Sequence, residues 1–141
     1  MKRFLSLFII VSILLALASG CVAPSGSSPN LVGRWESTST FPVDEDYDGR
    51  PDLYGKYVLI VENQKGSTFT GQFGGIVPNS GISLFFSITG TITSGGSIVI
   101  TVKIPDITTD QTITVSIQGV YASGRITLIG DDQTIELVKV Q

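Results

Sequence analysis

The 141-residue chain has no histidine, one cysteine, one tryptophan and almost no alanine beyond its first twenty positions. Each shortage removes something. Without histidine there is no Ser-His or Cys-His nucleophile pair and no histidine-containing zinc site. The chain also lacks a G-x-S-x-G elbow and a phosphate-cradling Gly-Lys loop, and the Asp131-Asp132 pair reads as part of a Gly130-Asp131-Asp132 hairpin turn. The expectation is therefore a protein that is not an enzyme. A single cysteine excludes an internal disulfide, leaving packing, with or without an ion, to hold the fold. Scarce alanine and the lack of any long 3.6-residue apolar period exclude a helical domain.

What is present begins with an export segment. Lys2 and Arg3 precede an apolar run from Phe4 to Leu17, which ends in the small residues Ala18, Ser19 and Gly20 before Cys21. Leu17-Ala18-Ser19-Gly20-Cys21 resembles the lipobox of bacterial lipoproteins, although that family more often has Leu at the position held here by Ala18. The resemblance implies cleavage before Cys21 and lipid attachment to its sulfur. Two other outcomes use the same residues: ordinary secretory cleavage near Ala18, or an uncleaved anchor over Phe4 to Ala23. In each case the folded part lies outside the cytoplasm. Val22 after the cysteine resembles the outer-membrane sorting pattern if the host is a diderm bacterium; the expected location is the cell envelope, with the membrane as a partner through the lipid.

Residues 1–20 are thus read as signal peptide, 21–30 as a flexible Ser/Gly/Pro tether and 31–141 as one domain. Removing Lys2 and Arg3 leaves a net charge of about −5, which argues against a nucleic-acid partner.

The domain is rich in Ile, Val, Thr, Phe and Tyr, and turn signals cut it at regular intervals. Eight strands are expected, over 31–38, 56–62, 67–73, 82–93, 97–104, 111–121, 125–129 and 133–140. Short connections imply antiparallel neighbours, hence an all-β, eight-stranded meander barrel with almost no helix. Phe69-Thr70-Gly71-Gln72-Phe73, Ile88-Thr89-Gly90-Thr91-Ile92 and Ile117-Gln118-Gly119-Val120-Tyr121 each place glycine on the face of two apolar neighbours. The gap lets the sheet coil, or lets a bulky residue from the opposite wall fill it.

Leu31-Val32-Gly33-Arg34-Trp35 carries the Gly-x-Trp that opens the first strand of lipocalins, avidins and related calycin barrels, and this chain resembles them in that motif and in layout. The resemblance implies that Trp35, with Gly33, closes one end of a lipocalin-like barrel, and that Lys139 of the last strand covers its ring. Further lipocalin motifs and the biotin-binding aromatics of avidins are not recognisable.

The long connection between Ser39 and Gly55 contains Asp44, Asp46, Asp48 and Asp52 at positions 1, 3, 5 and 9, with Gly49 at position 6 and the Arg50 carbonyl at position 7. That spacing wraps oxygens around one Ca²⁺. It resembles the D-x-D-x-D-G-x-x-D loops of integrin-type propellers, dockerins and thrombospondin type 3 repeats. Position 12 is Gly55, not the bidentate Glu of an EF-hand, so the implied affinity is weak, about 0.1 to 1 mM.

Two functions follow. The first is a membrane-anchored, calcium-stabilised barrel with a structural or protein-interaction role at the envelope, its interior filled by Ile98, Ile100, Val102 and Ile104 with Ile113, Val115 and Ile117. The second is a hollow, lipocalin-like carrier of a small apolar ligand. The residues lean toward the first; a cavity of more than a few hundred Å³ at the mouth would favour the second.

Overall fold

A computed structural model describes residues 26–106, 108–109, 111–130 and 133–140; the signal segment, Cys21, Asp131 and Asp132 lie outside them. Eight strands follow in chain order: β1 Gly33–Val43, β2 Leu53–Lys65, β3 Thr68–Val77, β4 Ile82–Ile92, β5 Ser97–Asp106, β6 Gln111–Ala122, β7 Arg125–Ile129 and β8 Thr134–Val140. Each pairs antiparallel with the next, and β1 pairs with β8, closing a meander barrel. β-Branched residues alternate along the strands; in β5, Ile98, Ile100 and Val102 are buried while Val99 and Lys103 are exposed. The turn between β6 and β7 has Ser123 and Gly124 both at positive φ (52° and 78°), as a two-residue I′-type hairpin requires.

Strand pairing is complete only toward one end, which we call the base. There the core packs Leu31, Trp35, Leu59, Phe69, Ile92, Ile98, Ile100, Ile126, Leu128 and Leu137, each 2% exposed or less. Trp35 Nε1 donates to the Leu31 carbonyl at 2.8 Å, and its ring meets Tyr121 edge-on with centroids 6.1 Å apart. Lys139 Nζ lies 5.5 Å from the ring centroid. Gly33 has φ of 133°, and a Cβ there would come within 2.7 Å of Lys139 Cε. The position therefore admits glycine alone without a shift. The chain enters at the base as well: Ser28 Oγ donates to the Ile92 carbonyl, and Gln64 bridges the Pro29 carbonyl and the Leu31 amide at 2.7 Å each. Ser28 and Pro29, within the expected tether, are thus bonded to the barrel.

At the end of the barrel away from the base, three boundaries differ from expectation by three residues or more, for one reason. β1 continues to Val43 and β2 begins at Leu53, because Phe41-Pro42-Val43 pairs with Gly55-Tyr54-Leu53. The connection shrinks from the expected 39–55 to 44–52. β3 runs on through Gly74 and Gly75 to Val77. These glycines are not a turn. Gly74 lies against the Leu84 carbonyl, and the Phe41 ring covers both Gly55 and Gly75. Of the three glycines expected to leave gaps, Gly90 is filled by Phe69, whereas Gly71 and Gly119 allow close approach of the Ile60 and Thr127 carbonyls.

The extension of β1 depends on Ser37. The β1–β2 register shifts between Glu36 and Thr40, and Ser37, 2% exposed, accepts from the Tyr57 amide at 3.0 Å and donates to the Ser39 carbonyl at 2.5 Å. A side chain takes the place of a missing ladder bond. Ser37→Ala leaves the Tyr57 amide without this acceptor, and urea denaturation should show a loss of about 1–3 kcal/mol.

Candidate functional site

Away from the base, the barrel opens because two seams stop short. The β4–β5 ladder ends at Ile88 opposite Val102, leaving Ile82–Ser87 and Lys103–Asp106 unjoined. The β6–β7 ladder ends at Gln118 opposite Ile129, leaving Gln111–Ile117 without a partner on that side. The outer halves of β5 and β6 remain paired with each other, from Lys103–Thr114 to Asp106–Gln111. The barrel thus flares into two walls, one from β1 to β4 and one from the β5–β6 hairpin.

A cavity of about 430 Å³ lies between them. One wall contributes Phe41, Val43, Tyr57, Phe73, Val77, Ile82, Leu84 and Phe86; the other contributes Val102, Ile104, Val115 and Ile117. Its floor is the upper surface of the core, since Tyr57, Phe73, Phe86, Ile104 and Ile117 pack on the buried cluster. Tyr57 and Phe73 are stacked with centroids 6.3 Å apart, and Phe41 leans on Tyr57 at 4.6 Å. The lining is apolar except for Tyr57, whose hydroxyl accepts from Gln133 Nε2 at 3.2 Å. The filled interior expected from the sequence is not what β6 builds. Val115 lines the cavity at 39% exposure and Ile113 is 51% exposed, because their strand has parted from β7.

The acidic loop stands at the same end. One carboxylate oxygen each from Asp44, Asp46 and Asp48 lies within 4.8 Å of the others, so these three could hold a metal ion. The backbone folds to make this so: Asp46 Oδ1 accepts from the Asp48 amide, Asp48 Oδ1 from the Arg50 amide, and Asp44 Oδ2 from the Gly49 amide. Tyr47 and Gly49 both have positive φ, 60° and 85°. Asp44 Oδ1 is buried without a hydrogen-bond partner among the described residues, an atom that a cation would satisfy. Asp52 does not join the cluster; its Oδ2 accepts from the Glu45 amide at 3.0 Å, while the Asp52 amide donates to the Val43 carbonyl and closes the loop.

Sequence reasoning passed over Asp106, which also stands at this end. Thr108 and Thr109 hydroxyls and the Thr108 amide donate to its carboxylate at 2.6–2.8 Å. These bonds, the Thr108 hydroxyl first, lower its pKa to about 2. An Asp two residues ahead of a Thr pair was the available signal.

Comparison with protein-family models, curated proteins and solved structures finds no match.

Hydrogen bonds that favour the charged form should be removable one by one. Thr108→Val with Thr109→Val should raise the Asp106 midpoint from about 2 toward 3.8, read by NMR titration of its carboxyl carbon.

Proposed function

We propose that the chain is an exported lipoprotein, anchored through Cys21 and not catalytic, whose barrel carries a small apolar ligand and binds Ca²⁺ in the β1–β2 loop. One observation supports the carrier reading over a filled interaction module: the 430 Å³ apolar cavity. It falls within the roughly 300–1,000 Å³ of small-molecule sites. It is also about three times a cavity of ~150 Å³ that stays dry and takes up benzene. Its walls are joined above the floor by no strand ladder, which provides an entrance.

The anchor agrees with this arrangement. Gly26 lies beside Ser94 in the β4–β5 turn at the base, so a lipid on Cys21 would be tethered at the base. The mouth then faces away from the membrane. Calcium is supported by an all-oxygen donor set with an unsatisfied Asp44 oxygen, and by an exterior location where the ion is plentiful.

Two measurements test the reading. An environment-sensitive apolar fluorophore should bind the protein, and Val115→Trp, which projects bulk into the mouth from a half-exposed position, should weaken binding at least about tenfold while leaving the melting temperature near wild type. No binding by the wild type overturns the carrier. Calcium at about 100 times its dissociation constant should add about 2.7 kcal/mol of stability, seen as a rise in melting temperature that Asp46→Ala with Asp48→Ala abolishes. An equal rise in both proteins overturns the ion site.

A further inference from the structure

We propose that the ligand of the cavity is a cationic amphiphile: an apolar body that fills the space between the two walls, bearing an amine or quaternary ammonium group that stays at the mouth. This rests on the carrier reading and adds the charge of the ligand to it.

The cavity itself rejects charge. Its lining offers a single hydroxyl, already engaged by Gln133, and moving an ion into such surroundings costs several kcal/mol without a partner. Whatever polar group the ligand carries must therefore remain at the rim, where water still reaches it. The rim decides which sign is welcome there.

Three connections meet at the mouth: β1–β2, β3–β4 and β5–β6. Among the described residues the β1–β2 connection holds Asp44, Glu45, Asp46, Asp48 and Asp52, and Asp106 ends β5 at the same end: six of the 12 acidic residues of the chain. Arg50 is the one basic residue in those connections, with Lys103 nearby on β5. Of the described acids, three lie elsewhere, and two of these are already paired, Glu36 with Arg34 and Lys56 and Glu136 with Arg125. The chain is therefore polarised along the barrel axis and is not merely acidic overall. A divalent ion on Asp44, Asp46 and Asp48 would still leave the described rim with more acidic than basic charge, since Glu45, Asp52 and Asp106 face only Arg50 and Lys103. Asp106 stays ionised at any ordinary pH.

Charges gathered around an apolar opening focus a field over roughly a Debye length, about 8 Å at physiological ionic strength. An ammonium at the mouth is drawn in; a carboxylate or phosphate head is repelled. Volume alone would accept either.

The test holds the apolar body constant and varies the head. Dodecyltrimethylammonium, dodecanol and dodecanoate, each below its aggregation threshold, compete with a neutral apolar fluorophore for the purified exported protein at low salt. We expect the ammonium to bind about tenfold or more tighter than the carboxylate, with the alcohol between, and the ratio to shrink at high salt. In Glu45→Lys with Asp106→Asn, checked for its fold by melting temperature, the ratio should narrow. Equal binding of all three probes, preference for dodecanoate, or a ratio indifferent to salt and to the double variant overturns the cationic ligand while leaving the apolar carrier standing. Failure of all three probes to bind overturns the carrier itself.

Discussion

Closure of the barrel rests on the packing at its base. Eight strands enclose an interior just wide enough for side chains to fill or for one small ligand to occupy, and this ring is closed where its side chains meet. Here they meet around Trp35, with Leu31 beneath it, Tyr121 against its edge and Lys139 over its face. Gly33 is required beside it, since any side chain there would displace Lys139. All eight strands reach this region, and the ladders between β1 and β8, β4 and β5, and β6 and β7 exist only on this side. The base is thus where the fold is cooperative, and the mouth is what its strands do once they outrun it.

The mouth owes its shape to one mismatch of strand lengths and to one pair of long strands that diverge. β7 spans Arg125–Ile129, too short to accompany β6 beyond Gln118, and β5 leaves β4 after Val102. Long strands with short neighbours must end as open edges, and those edges face each other across apolar side chains. A mismatch of the same kind explains Pro42. Beyond Ser37, β1 no longer pairs with β8, and an edge strand tolerates a residue with no amide hydrogen.

Local signals made most of the fold legible. β7 lies where its turns placed it, and β4, β5 and β6 differ from expectation by no more than two residues at either end, because Gly, Asn and Asp clusters bracket clean alternation. The ends of β1 and β2 and the outer half of β3 were hidden by residues that usually mean loop. Pro42 and Gly74-Gly75 carry turn chemistry in isolation, and only the ring of Phe41 lying over Gly55 and Gly75 turns them into strand. The cavity was hidden for a deeper reason. Alternation puts Ile113, Val115 and Ile117 on the inner face correctly, but whether a face is filled depends on how far away the opposite wall stands. That distance is set by register between strands far apart in sequence. The acidic loop was the reverse case: a spacing within nine residues brings Asp44, Asp46 and Asp48 together, whereas Asp52 is drawn off by the Glu45 amide.

On the carrier reading proposed above, the two ends of the barrel would divide stability from binding. Side chains at the base are buried, interlocked and sensitive to volume. Many of those at the mouth are partly exposed, and the outer parts of β1, β4, β5 and β6 are held from one side only, so opening along those edges costs little of the global free energy. An apolar cavity in a molecule stabilised throughout would have to unfold part of its core to admit a ligand. Here the strands that must part are already unpaired, and the residues that keep the barrel closed lie below the cavity floor. The acidic loop adds a further constraint. It spans the tip of the β1–β2 hairpin, whose Phe41 and Val43 line the cavity, and it gathers the carboxylates of Asp44, Asp46 and Asp48 in one tight turn. An ion on Asp44, Asp46 and Asp48 would therefore stiffen the β1–β2 side of the mouth.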